Sequence, residues 1–302
     1  MLSVFVLCFC VVLAVVTSSI TRVAVTGGAG RTGSIVFKKL LERTNEFEPV
    51  ALVRTEKSRR ALIKQSGAKP EQVVVCDVSS ESSVKQALVG ADKLVLCTSA
   101  VPQILPLSII KLMVGKLFKK TGRPEFKFRK GGSPYHVDWL GAKAQVDAAK
   151  ASGVKQVVVV GSMGGTDPSN FLNTIGRKED DVLSGNILQW KRKAEWYLTN
   201  SGLPYTIIHP GGLLDKAGGE REIVFGVDDE LLKEKTRSIP RADVAEVCVQ
   251  SLLSPLALNR AFDIISREPA GGAGGKDVPA PQPFKHDWQR WFEASGGRNC
   301  RY

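Results

Sequence analysis

A doubly wound parallel α/β sheet, with helices on both faces, is the fold the sequence predicts. Three observations predict it. From Arg22 onward, short β-branched runs alternate with amphipathic stretches, the pattern of parallel strands joined by covering helices. The first run, Val23-Ala24-Val25, leads into the glycine-rich turn Thr26-Gly27-Gly28-Ala29-Gly30-Arg31-Thr32-Gly33, and a helical pattern follows at once. With 302 residues and 43% hydrophobic content, the chain can bury one large core, with room for a small appendage.

In order, strands are predicted at 22–26, 49–54, 72–76, 93–98, 155–161 and 204–209, each a short run dominated by Val, Ile, Leu or Ala. Helices are predicted between them at 32–43, 57–65, 80–88, 137–152 and 187–201. In the first of these Ile35, Val36, Phe37 and Leu40 form an apolar face. Two stretches depart from the alternation. Over 104–130, Leu105, Ile109, Leu112, Met113 and Leu117 recur at helical spacing beside Lys111, Lys116, Lys119 and Lys120. The plainer reading is a helix packed on the domain with its lysines in solvent; the other is a lid or membrane-surface helix. Residues 269–283 are rich in Gly, Pro and Ala and read as a flexible linker to a short helix around 284–292. The expected organisation is a separate N-terminal segment over 1–20, a dinucleotide-binding domain over 21–267 and a C-terminal linker and helix over 268–302.

Residues 2–16 are almost wholly apolar, and Thr17-Ser18-Ser19 follows with small residues suited to cleavage. This resembles a signal sequence. The run is short for a membrane span and lacks a preceding Lys or Arg, so an uncleaved anchor is the other reading. Endomembrane or plastid-directed entry is the expectation, with the cytoplasm as the alternative.

The net charge of +12 favours an anionic partner: a phosphate-bearing cofactor, an acidic membrane surface or nucleic acid. Nucleic acid is set aside because no aromatic-flanked basic repeat occurs, and no metal is expected because no Cys/His spacing of the metal-binding kind occurs. Among the six cysteines, Cys76, Cys97 and Cys248 lie in apolar runs and read as core residues. Of the three histidines, His209 alone ends a predicted strand; His136 and His286 read as surface or structural.

A pyrophosphate needs outward backbone N–H groups and a close approach free of Cβ atoms, which a glycine turn at a helix N-terminus supplies. Gly27, Gly30 and Gly33 have that spacing, and Gly-x-Gly-x-x-Gly also fits from Gly28, so Gly27, Gly28, Ala29, Gly30, Arg31, Thr32 and Gly33 are assigned to the cofactor. This is the Rossmann arrangement. Enzymes using NAD place a carboxylate at the end of the second strand; here Arg54 stands there, backed by Lys57, Ser58, Arg59 and Arg60. A guanidinium suits a 2′-phosphate, so NADP(H) is preferred over NAD(H). Asp77 falls at the adenine, and Thr98, Ser99 and Ala100 at the middle of the cofactor.

Together with the turn, the segments Val137-Asp-Trp-Leu-Gly-Ala-Lys-Ala-Gln-Val-Asp-Ala-Ala-Lys150, Gly161-Ser-Met-Gly-Gly165 and Ile239-Pro-Arg-Ala-Asp-Val-Ala245 occur in one order. In this the chain resembles the atypical short-chain dehydrogenase/reductases. The segments Gly161-Ser-Met-Gly-Gly-Thr-Asp-Pro168, Trp190-Lys-Arg-Lys-Ala-Glu195 and Gly211-Gly-Leu-Leu-Asp215 look more narrowly like the plant NADP-binding proteins related to sanguinarine reductase. The resemblance implies a Rossmann-type sheet with a small C-terminal substrate-side lobe and NADPH-dependent reduction of a small molecule. It implies catalytic Ser162, Asp167 and Lys191, with Pro210 and Gly211 near the nicotinamide. Lys191 is chosen over Lys193 because it shares a helical face with Ile187, Ala194 and Leu198.

The sequence departs from the wider pattern where Ile187 replaces the Tyr expected four residues before the lysine, and from the narrower group where Asn170 replaces a His. Without the usual proton donor, a pre-polarised acceptor such as an iminium, quinone or enone suits the site better than a ketone. The alternative is a non-catalytic NADP(H)-binding protein that senses redox state or assists assembly. A monomer or homodimer is expected, with possible partners limited to a small substrate and, through 104–130 or the N-terminal segment, a membrane surface.

Overall fold

The structure, a computed structural model, describes residues 20–117, 124–181, 183–267 and 286–302. Residues 1–19 of the signal-like segment and the whole Gly/Pro-rich stretch 269–283 lie outside the described residues. Along the chain come β1 (Thr21–Thr26), α1 (Gly33–Leu41), β2 (Phe47–Val53), α2 (Glu56–Ser66), β3 (Val73–Val75), α3 (Glu81–Ala87) and β4 (Lys93–Leu96). Then follow β5 (Gln103–Ile104), α4 (Pro106–Leu117), β6 (Phe126–Lys127), α5 (Ala142–Ala151), β7 (Gln156–Val160), α6 (Ile187–Thr199) and β8 (Tyr205–Pro210). The remainder supplies β9 (Gly212–Leu214), β10 (Glu222–Gly226), β11 (Ser238–Pro240), α7 (Arg241–Leu253), β12 (Arg260–Arg267) and α8 (Trp288–Ala294).

Eight strands form one sheet in the order β10-β12-β8-β7-β4-β1-β2-β3, all parallel except β10, which joins β12 antiparallel. The apolar runs make this possible. Val23, Val25, Leu94 and Val95 are fully buried because the central strands are covered on both faces. One face packs Val36 and Leu40 of α1 with Val244, Val247 and Cys248 of α7. The other packs Val84 of α3, Val146 and Ala149 of α5 and Leu198 of α6. The chain reverses its direction of travel between β1 and β4, so the crevice beyond the carboxyl ends of these two strands is the expected ligand site. Among the described residues no helix is long and apolar enough to cross a membrane.

The predicted strands and helices all form, with ends shifted by no more than two residues except at the helix expected from 137 and at the C-terminal helix, which runs from Trp288 to Ala294 and not from 284 to 292. The helix expected from 137 begins instead as a π-helical turn, Tyr135–Gly141, before α5. The wider turn carries Asp138 inward, where its side chain is wholly buried. α7 has no amphipathic signature because nearly all of it is inside: Arg241, Asp243 and Ser251 are buried alongside its apolar residues. In the basic insertion, α4 turns Leu107, Ile110 and Met113 outward and buries Ser108, while the side chains of Lys111, Leu112 and residues 114–117 lie outside the described residues.

Candidate functional site

The glycine turn is built by contacts that exclude side chains. Gly27 has φ +64°, and a Cβ there would lie 2.8 Å from the Cys97 carbonyl oxygen at the end of β4. A Cβ on Gly33 would collide with the Gly27 carbonyl oxygen, which also accepts a 2.7 Å hydrogen bond from the Gly30 amide. α1 begins at once; Thr32 makes no side-chain cap, and no acidic residue occupies the first turn. The positive end of the helix dipole therefore faces the crevice with backbone approachable at the turn, which fits a dinucleotide pyrophosphate. Arg31 arches over the turn to Asp215, at 2.7 Å, and Arg241 holds the other oxygen of that carboxylate at 2.7 Å. The Arg31 hydrogen bond, reinforced by Arg241, draws the Asp215 carboxyl below the ordinary range.

Arg54 is exposed directly after β2, and Thr55 behind it caps α2 by accepting from the Ser58 amide. Lys57 and Arg60 are exposed beside it. Arg59 is committed elsewhere: it donates to the Val73 and Pro70 carbonyls at 2.7 and 2.8 Å, tying α2 to β3. Arg59→Ala is expected to lower stability by about 1–3 kcal/mol, read by urea unfolding, because two buried-edge carbonyls lose charged donors. NADPH affinity should stay within about twofold of wild type. Asp77 is exposed after β3, its Oδ1 accepting from the amide and hydroxyl of Ser79 at 3.0 and 2.6 Å.

Beyond β4 and β7 lies a small cavity of about 30 Å³, walled by Leu96, Val146 and Val160. Thr98, Asp138, Lys191 and Glu195 supply its polar side chains. Lys191 Nζ lies 2.7 Å from Asp138 Oδ1, with side chains 13% and 0% exposed. Asp138 Oδ2 accepts from the Ala100 amide at 3.0 Å, so one carboxylate fixes both the lysine and the loop after β4. Lys193 points outward, over the rings of Trp139 and Trp190. Gln145 donates to Thr98 Oγ1 at 3.2 Å, and its buried Oε1 finds no hydrogen-bond partner among the described residues. Cys97 sits beneath the turn, and burial pushes its thiol up to about 12 despite nearby Lys191. At pH 8 roughly one molecule in ten thousand then carries the thiolate, so iodoacetamide should leave the Cys97 peptide unmodified while the protein is folded. Mass spectrometry before and after unfolding checks this.

The structure brings Thr98 and Lys191 into this cavity and leaves the other two expected catalytic residues outside it. Ser162 faces a neighbouring cleft, its hydroxyl donating to the Met163 carbonyl at 3.0 Å. Asp167 is exposed, and its Oδ1 is taken by the Ser169 amide and hydroxyl at 2.8 and 2.6 Å. Pro210 is buried, and the Gly211 amide is bonded to Ile264 at 2.9 Å. Asn170, where the related group implies a His, accepts from the Leu172 amide and caps a short turn. Ile187 opens α6, half-buried.

Between the two spaces stands His209, buried, with Nε2 3.2 Å from Glu195 Oε2 and Nδ1 3.1 Å from Asp263 Oδ1. Burial opposes its charge, yet the two carboxylates raise its pKa well above the ordinary value. Asp138, Gln145 and Glu195 were not singled out from the sequence. A signal existed: Asp138 and Gln145 share a helical face with Ala142 and Ala149, so two polar groups lie on an apolar side.

Glycine turn, reversal point and cation-lined cavity define a dinucleotide-binding protein of the doubly wound class. A model of the NAD(P)H-binding family matches residues 27–255. The chain is 49% identical over 269 residues to an uncharacterized chloroplastic protein of Arabidopsis thaliana, covering 89% of this chain and 77% of that one. It is 43% identical over 267 residues to sanguinarine reductase of Eschscholzia californica, covering 85% and 93% of the two chains. Among solved structures, a short-chain dehydrogenase/reductase of Veillonella parvula in complex with NADP superposes with TM-score 0.54 at 14% identity, over 88% and 98% of the chains. An anaerobillin reductase of Escherichia coli O157:H7 gives 0.53 at 20%, over 83% and 100%; at these identities both show the fold alone. The chain belongs to the NAD(P)H-binding oxidoreductase family, in the sanguinarine reductase-like group of the atypical short-chain dehydrogenase/reductases.

Proposed function

We propose that this protein is an NADPH-dependent reductase of a small, pre-polarised electrophile such as an iminium, quinone or enone. The observation that carries the reading is the cavity beside the glycine turn, in which Lys191 is paired with Asp138 and no tyrosine stands four residues before the lysine. Bound NADPH supplies a hydride. The turn over Gly27–Gly33 holds the pyrophosphate, Arg54 with Lys57 and Arg60 faces the 2′-phosphate, and Thr98 and Lys191 fix the cofactor's inner half. An iminium carbon that accepts hydride becomes a neutral amine without a proton, so a site lacking a donor suffices. For a quinone or enone, the Lys191 ammonium offsets the developing oxyanion. Sanguinarine reductase is, by its name, a reductase of sanguinarine, and the shared 43% identity supports a reductase here. The chloroplastic relative supports plastid-directed entry.

The test is NADPH and NADH titration of the purified chain, followed by NADPH oxidation across an iminium, quinone and enone panel. Turnover of at least one class is expected. Arg54→Asp should weaken NADPH at least about tenfold and leave NADH nearly unchanged, since one charge-assisted contact to phosphate is worth about 1.5–3 kcal/mol. An unchanged preference would remove Arg54 from the site. A second reading, a non-catalytic redox-sensing or assembly protein, is favoured by the placement of Ser162 outside the cavity that Lys191 lines. Tight NADPH binding with no turnover, together with a partner affinity that changes with cofactor, would select it.

A further inference from the structure

We propose that His209, Asp263 and Cys300 form a zinc-binding site that clips the C-terminal segment to the sheet. His209 Nδ1, Asp263 Oδ1 and Cys300 Sγ are mutually 3.1, 3.7 and 3.7 Å apart, and all three residues are buried. A tetrahedral zinc with bonds of about 2.0 Å to N and O and about 2.3 Å to S sets its ligand atoms about 3.3–3.6 Å apart. The observed triangle matches that spacing, and nitrogen, carboxylate oxygen and sulfur together are a donor set zinc accepts.

The groups behind the ligands supply a second, independent observation. His209 Nε2 is 3.2 Å from Glu195 Oε2, a carboxylate behind the ring that would hold the Nε2 proton when Nδ1 binds a metal. Asp263 Oδ2 accepts from the Asp229 amide at 2.7 Å, leaving Oδ1 for the centre. Cys300 Sγ accepts from the Asp228 amide at 3.5 Å, the kind of N–H···S contact that supports a thiolate. Both ring nitrogens face carboxylates, so zinc at Nδ1 would take the place of the proton that His209 otherwise shares with Asp263. Zinc with one imidazole, one carboxylate and one thiolate is charge-neutral.

The ligands come from β8, β12 and the C-terminal segment, separated by 54 and 37 residues, so no local Cys/His spacing announces them. That segment already lies along β12: the Cys300 amide donates to Ala261 at 2.9 Å and Asn299 Oδ1 accepts from the Ala261 amide at 2.6 Å. Arg192 donates to the Arg301 carbonyl and stacks 4.3 Å from the Tyr302 ring. Zinc would lock this strap over the cleft that holds Ser162.

The test uses the full chain, stripped with a chelator and titrated with zinc alone and with cobalt alone. One zinc per chain is expected, and the cobalt form should show a thiolate-to-cobalt charge-transfer band. Cys300→Ser should abolish the band and weaken zinc at least about 100-fold, while Glu195→Gln keeps the band and weakens zinc about 10–100-fold. His136→Ala, at an exposed histidine, should change neither. If Asp263→Asn fails to fold, the wild-type cobalt spectrum and Cys300→Ser still decide. Sub-stoichiometric zinc, a cobalt form without the band, equal zinc binding by Cys300→Ser, or a His209 imidazolium persisting at saturating zinc would each overturn the proposal. NADPH titration of the same samples reports on the glycine turn, so failure here is distinguishable from failure of the reductase reading.

Discussion

Gly33→Ala is expected to reduce NADPH affinity by at least about 100-fold, or about 3 kcal/mol, while the sheet still folds. The new Cβ meets the Gly27 carbonyl oxygen, and neither side can retreat easily. Gly27 is held in the left-handed region at φ +64° against Cys97, and its carbonyl is already bonded to the Gly30 amide. On the other side, Val36, Phe37 and Leu40 fix α1 in the core at no more than 0% exposure each. The turn therefore opens or the helix start shifts, and either change moves the amides that would hold the pyrophosphate. Fluorescence titration with NADPH measures the loss, and circular dichroism with thermal melting checks that the fold survives. Gly202→Ala is the control: its φ is +83° but a Cβ there meets nothing within 4 Å, so it should cost about 1 kcal/mol of backbone strain and leave NADPH binding intact. Affinity of Gly33→Ala within about threefold of wild type would remove the turn from the cofactor site.

The proposed binding half of the site can be read from the sequence because it is local. A glycine turn, the strand before it and the helix after it occupy consecutive residues, and Arg54 follows from counting strands. The chemistry was less legible because it is assembled across the chain. Periodicity chose Lys191 over Lys193 correctly, since both belong to one helix whose buried face is set by Leu188, Ala194 and Leu198. It could not pair Lys191 with Asp138, which reaches the cavity through a π-helical turn that a regular helical period does not foresee. Ser162 and Asp167 were placed by resemblance, and their positions depend on how the loop after β7 bends. That loop is pinned from far away: Asp229 accepts from the amides of Gly164 and Thr166 at 2.6 and 2.8 Å. α7 was missed for a different reason. Its buried Arg241 and Asp243 answer to Asp215 and the Gly219 amide, so polar residues on its inner face mark partners and not solvent.

Asp138→Ala should produce the largest stability loss of any single change in the cavity, about 3–5 kcal/mol by urea unfolding. The carboxylate is fully buried; it forms an ion pair with the Lys191 ammonium at 2.7 Å and accepts from the Ala100 amide at 3.0 Å. Its removal leaves a cation that is 13% exposed without its counter-ion and an amide without its acceptor. Lys191→Met strands the opposite charge and should cost less, because Ala100 still bonds Asp138 and the methionine side chain, one atom shorter than lysine, fills most of the space. The two effects should not add. Asp138→Ala with Lys191→Met removes both charges, and its stability loss should fall short of the sum of the two single losses by at least about 1 kcal/mol. Additivity within about 0.5 kcal/mol would mean that the pair is a proximity and not a coupling. The same variants separate the two readings of function. In a reductase, Lys191→Met keeps NADPH binding within about tenfold but loses most turnover on a quinone, where an oxyanion develops, and less on an iminium, where none does. An equal loss on both acceptors would assign Lys191 to holding the cofactor and leave charge stabilisation to another group.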